Sequence, residues 1–274
     1  MGNLWIGPPG RLIEIDQAAK SFERAADLGV SEFKALSGRI TVTRTAAPVR
    51  RIKLSWDMLL PQHARVLDRL ARRVDGPGPH VLIDPAAGNV LNPAQATGTG
   101  PTGAAGLDQW FKVSANGSVV ETAYGAFAFT AADTTSVVGW RCVPWKGDFP
   151  AAPGLRVSFR APTAVAALGT CSVGIDFKRA DGSFISGVNA SGPFVAGTAP
   201  VGTTHLTPTA RPGTAGTYAF AGACLTYGGD TAADNVPGDD LPPMSVTGYS
   251  DTPGRPLPYR SVGIDLVEVS GAAG

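Results

Sequence analysis

Glycine and proline recur so closely in this chain that few segments run long enough to form a helix: 35 glycines and 23 prolines stand among 274 residues. Glycine favours left-handed turn geometry and proline removes a backbone donor, so both interrupt regular structure. Between them lie short runs with alternating apolar residues, the pattern of strands joined by tight turns. The expected fold is therefore mainly β. By composition the chain divides into an N-terminal β-domain with one packed helix (1–93), a linker (94–107) and a C-terminal antiparallel β-sandwich (108–274).

The helix is expected after Pro61, where Val66, Leu67, Leu70, Ala71 and Val74 fall at helical spacing until Asp75-Gly76-Pro77-Gly78-Pro79 ends the pattern. Around it, residues 4–7, 11–16, 39–44, 49–56 and 80–85 read as strands. Ile40 and Val42 are expected to point inward, and 39–44 and 49–56 to form one hairpin across Ala46-Ala47-Pro48 with a basic outer face. Residues 17–28 fit either a weak helical face or irregular chain. Residues 94–107, AQATGTGPTGAAGL, hold no large side chain before Leu107, too little apolar surface to offset the entropy of ordering, hence the linker. Beyond it, strands are expected at 111–113, 118–122, 126–130, 137–143, 155–160, 171–178, 184–186, 203–209, 217–227 and 262–269.

Charge is uneven. Residues 1–95 carry 13 Lys/Arg against 9 Asp/Glu, and residues 96–274 carry 10 against 13. The basic residues Arg50, Arg51, Lys53, Arg65, Arg69, Arg72 and Arg73 admit three readings: a solvated surface, a subunit interface meeting acidic neighbours, or a nucleic-acid contact. The last lacks interleaved aromatics or a reading motif. Cys142, Cys171 and Cys224 form no CxxC pair and read as free thiols in the core. No apolar run approaches the ~20 residues of a membrane helix, and the N-terminus has no signal-peptide pattern, so synthesis in the cytoplasm without membrane insertion is expected.

No catalytic constellation is visible. The three histidines, His63, His80 and His205, form no HExxH or HxH set, and neither GxSxG nor GxxxxGK[ST] occurs. Gly98-Thr99-Gly100 is an isolated GxG. Asp176 and Asp265 are conceivable hydrolytic carboxylates, but turn-capping or solvent-facing roles explain them as well. The acidic stretch with Asp230, Asp234, Asn235, Asp239 and Asp240 reads as a solvated loop. A non-enzymatic protein without a required cofactor is expected. For sugar contact, the aromatic faces are Trp145 in a Pro-Trp-Lys-Gly turn, then Trp140, Tyr124 and Tyr227.

The ordered set SGRITVTRTAAPVRRIKLSWDMLL (37–60), a short Leu- and Arg-rich helix, and GPGPHVLIDPAAGNVLNP (76–93) resembles the N-terminal domain of distal tail proteins of long-tailed bacteriophages and minor tail proteins of actinobacterial phages. The resemblance spans about the first third of the chain. It implies a self-associating ring, commonly six-fold, at the virion tail tip, with the tail tube protein, tape-measure protein and tip hub protein as partners. Further on, Gly174-Ile175-Asp176-Phe177-Lys178 with Ala180-Asp181-Gly182, and the closing run 261–269, resemble jelly-roll carbohydrate-binding modules. That likeness implies an outward module touching host cell-envelope glycan. It also points to Asp265 as a ligand for a structural Ca2+.

Overall fold

The computed structural model describes residues 3–44, 49–84, 88–145, 147–229, 236–254 and 256–269. Strand occupies 48% of the described residues and helix 11%, so the fold is mainly β. The chain forms two compact units: Met1–Glu14 with Val81–Leu241, and Ile15–His80 with Pro242–Gly274. This corrects the expected division. Each unit is assembled from distant segments, because the last strands of the chain pair with a strand near its beginning.

The smaller unit (15–80 and 242–274) is built on a four-stranded antiparallel sheet. Its spatial order is Met244–Pro253, Arg260–Glu268, Val49–Leu59, Ser21–Asp27. The expected alternation is seen in Val49–Leu59, where Leu54 and Trp56 are buried. They face Ile264 and Val262 in the register of Arg260–Glu268. Residues 262–269, expected to close the sandwich, therefore close this sheet instead. The helix Pro61–Ala71 buries Ala64, Leu67 and Leu70 and packs on the two C-terminal strands. Val74 lies beyond its end and is exposed. Residues 17–28, left open between two readings, contain the edge strand Ser21–Asp27.

The expected hairpin of 39–44 with 49–56 does not form. Ile40–Thr43 pairs with Ser31–Lys34 as a separate two-stranded ribbon, and Val49–Leu59 pairs with Ser21–Asp27 and Arg260–Glu268. The proposed junction, residues 45–48, lies outside the described residues. Ile40 and Val42 are each 53% exposed, because the ribbon has no core to face.

The larger unit is an antiparallel β-sandwich, as expected. One sheet has the order Phe184–Ser191, Ser172–Lys178, His205–Arg211, Val138–Trp140, Trp110–Lys112, with Phe149–Pro150 also pairing His205–Arg211. Opposite it lies Phe194–Thr198, Arg156–Arg160, Cys224–Tyr227. A third sheet joins Gly216–Ala219, Ala126–Ala131 and Gly117–Ala123. Trp110 stacks on Phe220 at 4.2 Å between centroids, and Trp140 meets Phe159 edge-on at 4.9 Å. All three cysteines are buried and none forms a disulfide among the described residues.

Residues 94–107 are packed structure, not a linker. Asn92 and Gln95 form a reciprocal capping box on the helix Pro93–Thr97. Gln95 is 1% exposed, and its amide donates to the carbonyls of Gln109 and Arg141 at 2.9 and 2.6 Å. Glu121 accepts from the backbone N–H groups of Gly103 and Gly125. Gly106 lies so close to Phe127 that an added Cβ would sit 2.1 Å from its ring. The small residues that suggested flexibility are what allow this close approach.

Candidate functional site

The aromatic residues expected to meet sugar are mostly interior. Trp140 is fully buried, opposite Trp110 across a strand pair. Trp145 sits in a short 3-10 turn, as its proline suggested, but the turn faces inward. Its indole N–H donates to the Leu241 carbonyl at 2.7 Å. Tyr227 is buried and donates its hydroxyl to the Pro150 carbonyl at 2.7 Å; burial pushes its pKa well up. A stacking platform needs an open ring face, so these three are corrected to core residues. Tyr124 alone is open, 94% exposed, at the turn between the strands Gly117–Ala123 and Ala126–Ala131.

A polar surface occurs elsewhere in the sandwich. Along Ser172–Lys178, Val173, Ile175 and Phe177 face the core, so Ser172, Gly174, Asp176 and Lys178 lie on the other side of the sheet. Asp176 pairs in register with Thr207 on one neighbour and Gly187 on the other. The Lys178 ammonium donates to Asp148 at 2.8 Å, and the Thr207 hydroxyl donates to the same carboxylate oxygen at 2.5 Å. Glycine makes room between these groups. A Cβ on Gly174 would lie 2.2 Å from Asn189 Oδ1 and 2.9 Å from Thr209 Oγ1, and one on Gly187 would lie 2.9 Å from Asp176 Oδ1. The result is a plate of polar side chains lying across the strands.

Asp176 is its least satisfied member. It is half-buried and accepts no hydrogen bond among the described residues. Burial raises its pKa, with Lys178 opposing. His205, one row away, bonds Thr204 through Nδ1 at 2.8 Å, and burial lowers its pKa. The alternation of Ser172, Gly174, Asp176 and Lys178 was the sequence signal for this face. Asp148, Asn189, Thr207 and Thr209 join it only through strand pairing.

The basic residues of the smaller unit are largely neutralised within the chain. Arg51 bonds Asp27 at 3.1 Å, Arg50 lies 3.7 Å from Glu268, and Arg69 bonds Asp75 at 2.9 Å through Nε. Arg72 holds Asp68 one helical turn away, which keeps that carboxyl below its ordinary range. Lys53 sits between Glu23 and Asp265 in the ladder. Arg73 is exposed just past the helix, at φ +56°. The expected basic face is thus corrected to a mixed-charge face: the acids beside the strand arrive from distant sequence, and those beside the helix are local.

Asp265 is exposed, opposite Lys53 and Gly248. Calcium takes 6–8 oxygen ligands, whereas the described residues contain no group of three His, Cys, Asp or Glu able to hold a metal. One carboxylate beside a lysine does not fit the ion. Of the acidic stretch, Asp230, Asp234 and Asn235 lie outside the described residues. Asp239 and Asp240 donate their backbone N–H groups to Asn89 and Leu91, so this end of the loop is fastened down. A cleft of about 250 Å³ is lined by Pro61, Ala64, Asp68, Asp251, Pro258 and Arg260, together with Arg65. It is smaller than ordinary ligand pockets, and Arg260 and Asp251 satisfy each other in a double hydrogen bond.

The remaining candidate is the sheet itself. Among the described residues, its two outer strands, Ser21–Asp27 and Met244–Pro253, are each laddered on one side only. The exception is a single bridge from His80 to Met244. Every residue of Ser21–Asp27 is exposed, as is every residue of the ribbon that follows.

No known protein family profile and no curated protein matches the chain. Among solved structures, an arabinose-bound α-L-arabinofuranosidase aligns at 15% identity and a TM-score of 0.30, over 53% of this chain and 27% of that one. The enzymatically active domain of bacteriophage CBA120 tailspike protein 4 aligns at 12% and 0.30, over 52% and 21%. Carbohydrate-binding modules of the β-sandwich superfamily align at 14% and 0.27, over 85% and 92%. This chain thus spans only about a quarter of the first two proteins. Alignments this distant say nothing of its role. No helix among the described residues is long and apolar enough to cross a membrane.

Proposed function

We propose that this chain is a non-enzymatic structural protein of a phage tail tip, a distal tail or minor tail protein that associates with copies of itself into a ring. In this reading it joins the tail tube protein and tape-measure protein to the tip hub protein, and acts in the virion tail. The observation that carries the self-assembly is the pair of open edges on opposite sides of the four-stranded sheet. An open edge is a row of unpaired backbone donors and acceptors, which proteins rarely leave bare. A copy of the same chain can offer one edge to the other. Such a contact is heterologous and closes into a ring when the rotation per subunit divides a full turn. The tail assignment is supported by the motif order of residues 37–93. Negative-stain electron microscopy of the purified chain should show closed rings, commonly six-fold; a uniformly monomeric field would contradict the reading.

A second reading, compatible with the first, is that the sandwich binds host-envelope glycan. It is favoured by the polar plate around Asp176, Asn189 and Thr209, where a half-buried carboxylate stands without a hydrogen-bond donor among the described residues. Sugar hydroxyls are donors of the required kind. Asp176→Ala and Asn189→Ala should reduce retention on host cell-envelope polysaccharide at least about tenfold, the loss of one or two charge-assisted hydrogen bonds. Retention that is unchanged in both variants would remove this site.

A further inference from the structure

Resting on the glycan reading, we infer that the polar plate selects a sugar bearing a protonated amine, with Phe184 as its stacking platform and Asp176 as the partner of the ammonium group. Phe184 opens the strand Phe184–Ser191, opposite Lys178 and beside a bulge in the ladder. It is 60% exposed. Among the described residues, no aromatic or cation–π contact occupies its ring. Gly187, the register partner of Asp176, links the two groups. A Cβ there would lie 2.9 Å from Asp176 Oδ1 and 3.6 Å from the edge of the Phe184 ring. Ring and carboxylate therefore flank one position that carries no side chain, on the outer side of the sheet. Asn189, exposed on the same strand, adds an amide in the next row.

The chemistry of the occupant follows from the charges around it. Lys178 gives its ammonium to Asp148. Arg179 is turned toward the Ser183 hydroxyl and the Phe184 carbonyl, and its charge acts on Asp181. Burial lowers the pKa of His205, which favours its neutral ring. Asp176 is left with neither an ion pair nor a hydrogen-bond donor among the described residues. A half-buried carboxylate is costly unless a donor, best a charged one, meets it. The ring face beside it attracts a cation through its quadrupole and stacks on apolar C–H surface. An amino sugar supplies both partners: a C–H face for Phe184 and an ammonium for Asp176. A neutral sugar leaves the charge uncompensated, and an acidic one is repelled.

The test is calorimetric titration of the full chain with trisaccharides of glucosamine, N-acetylglucosamine and glucose of the same linkage, at a pH where the amine is protonated. The wild-type chain should bind the glucosamine form at least about tenfold more tightly than either other, the worth of one hydrogen bond between charged groups. Asp176→Asn keeps the shape and removes the charge, so it should abolish that preference. Phe184→Ala should weaken the glucosamine form at least about fivefold, while Val201→Ser, an exposed control, leaves it unchanged. Phe184 lies outside the core and Asp176→Asn is isosteric, so both variants should fold, which circular dichroism checks. A wild-type chain that is retained on host-envelope polysaccharide yet shows no preference for the amine overturns the selection and leaves the glycan reading intact. A preference that survives Asp176→Asn, or binding untouched by Phe184→Ala, overturns this pair as its source. A chain that binds no trisaccharide and no polysaccharide removes the glycan reading, and this inference falls with it.

Discussion

Asn89 shows how a single side chain ties distant segments together. Fully buried, it donates to the carbonyls of Ala223 and Val236 and accepts from the N–H groups of Leu91 and Leu225, all at 3.0–3.1 Å. Asn89→Ala leaves those groups unsatisfied, each worth roughly 1–3 kcal/mol, and should destabilise the chain by about 3 kcal/mol in urea unfolding. Asp176 behaves oppositely. Its folded pKa is raised, so ionisation opposes folding; its contribution is fully present below the ordinary carboxyl value of 3.8 and is lost as pH rises through the folded value. Asp176→Asn should therefore raise the melting temperature at pH 7, with the gain shrinking toward pH 3. A gain that persists unchanged at pH 3 would contradict this origin. The tryptophans were the hardest residues to read from sequence. Whether Trp145 points outward depends on Leu241, nearly a hundred positions away, and nothing local to Pro144-Trp145 encodes that.

At the scale of elements, alternation and turn signals located most strands and the one long helix, because those patterns are local. They failed where two structures share one pattern. Ile40 and Val42 alternate as core residues do, yet an exposed ribbon reads identically. Residues 94–107 show the converse: small side chains suggested flexibility, while close packing against Phe127 requires them. Gly106→Ala should cost about 1–3 kcal/mol by overpacking, measured by chemical denaturation. A true linker would tolerate it without loss.

At the scale of the whole molecule, composition implies a linear division, whereas the chain adopts an interleaved one. Its first strand, Leu4–Gly7, pairs with Val81–Ile83, and its last two strands complete a sheet begun by Ser21–Asp27 and Val49–Leu59. Strand partners separated by some two hundred residues leave no local trace. Truncation after Leu241 removes two of the sheet's four strands, the two on which the helix Pro61–Ala71 packs. Hydrogen exchange should then show protection lost across 49–71 and retained across 172–211. The central claim is that the open edges of this sheet are completed by copies of the same chain, and sedimentation velocity of the wild-type protein tests it most directly. A discrete closed oligomer, a fixed multiple of 28.1 kDa, is the predicted result. A single 28.1 kDa species at every concentration would contradict it.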